Sequence, residues 1–106
     1  MNDSQSAIDH FRRLERLAAV LSDRGIAIYE HRYYLLVFGS FSLELGTRHR
    51  RWGFSWDGKD GFLSVSDAYA PKEGRPAPPV SGRAERLDTG DLDAPFRFIE
   101  SFDFQT

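Results

Sequence analysis

The chain contains no cysteine. That excludes disulfides and any zinc or iron–sulfur centre held by thiolates. No apolar run is long enough to cross a bilayer as a helix. The opening stretch MNDSQSAIDHFRRLERLAAV is polar and then amphipathic. It lacks the apolar segment of a secretory signal. Cytoplasmic location is therefore expected, with no membrane association. Neither sign of charge dominates: 14 Lys and Arg against 16 Asp and Glu give a formal net charge of −2. A near-neutral protein gives no global electrostatic case for nucleic acid or an anionic lipid surface.

Catalytic motifs are missing too. No serine sits in a Gly-x-Ser-x-Gly elbow. The segment Phe38-Gly39-Ser40-Phe41 is too short to cradle phosphate and precedes no expected helix. His10, His31 and His49 fall on a helix and two turns, none at metal-ligand spacing, and read as three surface imidazoles. Asp57-Gly58-Lys59-Asp60-Gly61 lacks the ligand spacing and final Glu of a calcium loop. No metal, no cofactor and no catalytic residue is expected.

What is present is alternation. Phe41, Leu43 and Leu45, then Trp52, Phe54 and Trp56, then Leu63 and Val65 occupy every second position, with small or polar residues between. This period-2 pattern marks an antiparallel meander with one buried face. Leu45 opposite Trp52 brings Leu43 against Phe54 and Phe41 against Trp56. Trp56 opposite Leu63 brings Phe54 against Val65 and closes a loop over Gly58–Gly61. A one-residue slip would set core residues against Ser and Gly, so the register is well specified. The three rings at 52, 54 and 56 resemble a base-stacking platform, but they share the face on which a helix must dock, and core packing is the reading.

Upstream, Ile8, Phe11, Leu14, Leu17, Ala18 and Leu21 recur at spacings of three and four, predicting an amphipathic helix over 5–23. Ser6 with Asp9 has capping-box spacing, and Gly25 sits at the left-handed stop. Residues 26–30 and 33–38 read as strands joined near His31-Arg32. Apolar on both faces, 33–38 reads as a central strand that bends at Gly39-Ser40 without reversing. Downstream, the prolines and glycines of 70–92 predict a long loop. In 93–104, Asp93 as N-cap and Pro95 in the first turn favour a short helix burying Phe96 and Ile99 over extended pieces.

The expected architecture is thus a single α+β domain over 1–106: an N-terminal helix on a four-stranded antiparallel meander, a long Pro/Gly loop at 70–92, and a short C-terminal helix. The fold does not fix a function. Two surfaces are candidates. The outer sheet face carries Ser42, Glu44, Arg51, Gly53, Ser55 and Ser64. Ser and Gly are poor strand formers, and a smooth face admits another layer. That layer is either the loop 70–92 with 96–104 folded back, a protein partner, or a second copy; the remaining reading is a face left to solvent. The other surface is the basic hairpin tip Arg48-His49-Arg50-Arg51. The leading expectation is a small non-catalytic protein-binding domain, in its narrower form an immunity-type inhibitor of a toxin. Weak nucleic-acid binding by the tip is the alternative, and an enzyme with an unrecognised site the third reading.

Overall fold

A computed structural model describes residues 3–69 and 79–104. In chain order it contains α1 (Asp3–Asp23), β1 (Ala27–Tyr34), β2 (Ser40–Gly46), β3 (Arg50–Asp57), β4 (Phe62–Tyr69), β5 (Pro79–Arg86) and α2 (Ala94–Glu100). The five strands form one antiparallel sheet in sequence order. Leu17 and Leu21 of α1 and Phe96 and Ile99 of α2 join the inward residues of β2, β3 and β4 in one core. Both helices therefore cover the same face. This is the α+β class that the sequence predicts, with one strand more. No helix among the described residues is long and apolar enough to cross a membrane.

The predicted register is observed. Phe41, Leu43 and Leu45 pair with Trp56, Phe54 and Trp52. Trp56, Phe54 and Trp52 pair onward with Leu63, Val65 and Asp67. All three aromatic residues of β3 are buried, and Trp52 meets the Phe104 ring edge-on at 5.1 Å. At the far hairpin, the Asp57 carboxylate accepts the backbone N–H groups of Lys59 and Asp60. It fixes a turn, as the sequence reads it.

The helices follow their predicted signals in part. Gly25, at φ 75°, ends α1 in the left-handed conformation. Ser6 lies inside α1, so it makes no capping box. The buried face of α1 is His10, Leu17 and Leu21, with Leu14 partly buried against the core. Ile8 and Phe11, counted into the apolar stripe, are exposed. Helix α2 buries Pro95, Phe96 and Ile99 as expected. Asp93 precedes it without a side-chain capping bond. Its carboxylate instead accepts Arg13 Nε at 2.9 Å and Arg16 at 3.5 Å, pinning α1 to the start of α2.

Two strand predictions are corrected. Residues 26–30 and 33–38 are not separate strands joined at His31-Arg32. β1 runs unbroken through those residues to Tyr34, with its irregularity between Ile28 and Glu30. The chain then reverses over Leu35–Gly39, where a bend without reversal is predicted. Phe38 (φ 55°) and Gly39 (φ 69°) are consecutive left-handed residues, which turn a chain sharply. The second correction lies within the predicted loop 70–92. Residues 79–86 form β5, pairing Leu63 with Glu85 and Phe62 with Arg86. Pro79 is tolerated because it begins an edge strand. Of the rest of that prediction, 87–92 is a loop as expected, and 70–78 lies outside the described residues.

Candidate binding site

The site is built around the β1–β2 turn. The run Leu35-Leu36-Val37-Phe38 lies in a reversal, so its side chains have no sheet to cover them. Leu36, Val37 and Phe38 are 86, 54 and 66% exposed. Contiguous apolar exposure of this kind marks contact surfaces more often than isolated exposed residues do.

The turn is firmly seated. Ser40 N and Ser40 Oγ both donate to the Val37 carbonyl, at 3.0 and 2.7 Å. Ser40 Oγ also accepts the Gly58 N–H at 2.9 Å. A Cβ on Gly58 would stand 2.1 Å from the Phe38 carbonyl oxygen, so only glycine permits this approach. The left-handed Phe38 stores on the order of 1 kcal/mol, and such strain persists only where its surroundings hold it. Lys59 Nζ lies 5.9 Å from the Phe38 ring.

Beside the turn opens a cavity of about 270 Å3. Phe41, Trp56 and Phe96 line it, each nearly fully buried. Leu35, Phe38 and Leu92 also line it. Asp3, Asp9, His10 and Arg13 come from one side of α1, and Tyr33 from β1.

His10, predicted at the surface, is 5% exposed. Its ring stacks on Tyr33 with centroids 3.8 Å apart. Its Nε2 lies 2.9 Å from His31 Nε2, so one ring nitrogen donates and the other accepts. Burial, then His31 and Arg13, push the His10 pKa down to about 4. Burial lowers His31 too. The pair is neutral at pH 7. The Tyr33 phenol is raised by burial, with Arg13 opposing and Asp3 adding to the rise.

The predicted fold-back of 96–104 over the outer sheet face is corrected. Residues 96–104 pack on the helix side of the sheet, where Phe96, Ile99 and Phe104 join the core. They do not cover the Ser/Gly face. Ser55 and Ser64 are exposed, and Ser42 and Gly53 half-buried. Glu44 and Arg51 form an ion pair at 3.2 Å across this face. A Cβ on Gly53 would meet only Ser66 Cβ, at an ordinary 3.7 Å, so no internal contact requires glycine there.

The basic tip is less concentrated than its sequence. Arg51 is held by Glu44, donates from Nε to the Thr47 carbonyl at 3.0 Å, and lies 3.4 Å over the Tyr29 ring. Arg50 lies 4.8 Å over Trp52. Arg48 and His49 are exposed at the turn. Two of the four residues are therefore drawn back onto the sheet.

The sequence reading missed the 35–38 turn and His10. Their signals were Gly39, read as a bend, and the spacing 10–14–17–21, which competes with the stripe through Ile8 and Phe11. No protein-family model matches the chain, and neither a curated protein nor a solved structure matches it significantly.

Proposed function

We propose that this is a protein-binding domain whose contact surface is the Leu36–Phe38 turn with the adjoining aromatic cavity. The carrying observation is the run of three consecutive exposed apolar residues on a turn held rigid by Ser40 and Gly58. A rigid apolar turn loses little conformational entropy on contact, so more of its burial counts toward affinity. The cavity beside it is of a size to receive one anchoring side chain, the arrangement in which contact energy concentrates. An immunity-type inhibitor of a toxin is the narrower form of this reading. It is supported by general character alone: small size and a sequence without a recognised catalytic motif.

The test is affinity capture from the native cell with intact-mass readout, run in parallel on the wild type and on surface variants. A stoichiometric partner retained by the wild type and lost with Leu36→Ser or Phe38→Ser is expected. Ser42→Trp and Ser55→Trp ask whether the contact extends over the outer sheet face. A partner indifferent to Leu36→Ser and Phe38→Ser defeats the turn as the contact surface.

A further inference from the structure

The aromatic cavity has a chemical preference of its own. We propose that it binds an organic cation: an alkyl- or arylammonium group whose apolar body lies against Trp56, Phe41 and Phe96 while its charge faces Asp3 and Asp9. The source is either a free amine or the lysine-type side chain of a protein partner. Only the second rests on the protein-binding reading above.

Size comes first. At about 270 Å3 the cavity lies at the small end of ligand sites, enough for one side chain or a small amine and too little for a nucleotide. Its walls come next. Trp56, Phe41 and Phe96 supply an aromatic wall, and aromatic rings attract cations most strongly where water is excluded; the Tyr33 ring is already stacked on His10. The charge balance settles the sign. Arg13 is the one cation among the lining residues, and its guanidinium is committed to Asp93 at 2.9 Å. His10 adds no positive charge, because it stays neutral well below pH 7. Asp9 accepts an amide N–H from Gln5 and faces Arg12 only at 3.9 Å. Asp3 has no charged partner among the described residues, and its charge reaches Tyr33, where Arg13 opposes it more strongly. Two carboxylates against one guanidinium, itself paired with Asp93, leave the lining with a net negative charge. An anion is repelled by it, and a neutral apolar group leaves it unanswered.

The probe is a matched set: phenethylammonium, 2-phenylethanol and phenylacetate, titrated into the whole protein. The readout is the indole N–H resonance of Trp56 against that of Trp52. Trp52 lies in the core away from the cavity lining, so it serves as the internal control. Phenethylammonium is expected to shift Trp56 saturably, with at least about fivefold tighter binding than the alcohol, and phenylacetate not to bind. Asp3→Asn with Asp9→Asn should erase that preference while leaving the alcohol's affinity unchanged; Asp3 is exposed and Asp9 half-buried on α1, and a cooperative thermal melt checks that the variant is folded. A blocked lysine, Nα-acetyl-lysine methylamide, gives the side-chain arm: its binding at Trp56 indicates a partner's side chain, and its failure beside a binding free amine indicates a small molecule. Equal affinity for the ammonium and the alcohol overturns the proposal. So does a static Trp56 resonance up to about 10 mM ammonium, near the weakest binding such a site would show. Capture of a partner through Leu36 and Phe38 without any ammonium preference sinks this inference and leaves the protein-binding reading intact.

Discussion

His10 Nε2 and His31 Nε2 lie 2.9 Å apart, which joins α1 to the edge strand β1 through a bond that holds a single proton. Protonating both rings would set two donors face to face. Tyr33 stacked against His10 leaves that ring little room to turn away.

Stability should therefore fall on mild acidification. The pKa of His10 drops from 6.5 in the unfolded chain to about 4 in the folded one. Between those values the unfolded state binds more protons, so stability rises with pH across this window and levels off above it. The full difference is up to about 3 kcal/mol. Urea unfolding from pH 7 to 4.5 should show the loss, and His10→Leu should flatten the profile through that range. A wild-type profile already flat between pH 6.5 and 4.5 would contradict the buried, neutral pair.

Gly58 and Gly53 sit in the same hairpin and should respond oppositely. Gly58→Ala drives a Cβ to within 2.1 Å of the Phe38 carbonyl oxygen, so the β1–β2 turn has to move. A loss of about 2 kcal/mol or more is expected in urea unfolding. Gly53→Ala meets only an ordinary contact and should stay within about 0.5 kcal/mol of the wild type. Similar costs at the two positions would mean that the turn is not seated on Gly58.

Asp93 should matter through Arg13 and not as a cap. Its carboxylate holds Arg13 and leaves the α2 N-terminus without a side-chain bond. Asp93→Asn keeps good capping chemistry but removes the charge, so it should cost about as much as Asp93→Ala, near 1 kcal/mol given the pair's partial exposure. A double-mutant cycle with Arg13→Ala should recover most of that as coupling. An Asn variant as stable as the wild type would restore the capping role.

These expectations divide along what the sequence exposes. The β2–β4 register was legible because strict alternation sets Trp52, Phe54 and Trp56 against Leu45, Leu43 and Phe41, and a slip would bury Ser and Gly. The helix α2 was legible from Asp93, Pro95 and Ile99, though the Asp93 carboxylate serves a tertiary pair that local sequence does not reveal. The turn at 35–39 was not legible. Tyr33 through Phe38 is as apolar as a central strand, and composition does not distinguish a buried run from an exposed one. What decides it is a left-handed Phe38 braced by Gly58, twenty residues downstream in sequence. Strand β5 was hidden for another reason: an edge strand accepts Pro79 and Gly82, which elsewhere argue against a strand. The burial of His10 follows from which helix face meets Tyr33 and Phe41, a choice made by the sheet and not by the helix.

The exposed turn should be dispensable for folding. Leu36→Ser removes little buried area, and its unfolding free energy should match the wild type within about 0.5 kcal/mol. A large loss would mean that Leu36 supports the fold, and would remove it as a reporter of binding.

The most direct measurement is the intact mass of what the wild-type protein and its Leu36→Ser and Phe38→Ser variants retain from the native cell. A stoichiometric protein held by the wild type and released by both folded variants is the predicted result. No stoichiometric partner for the wild type, or one held equally by all three, would contradict the account.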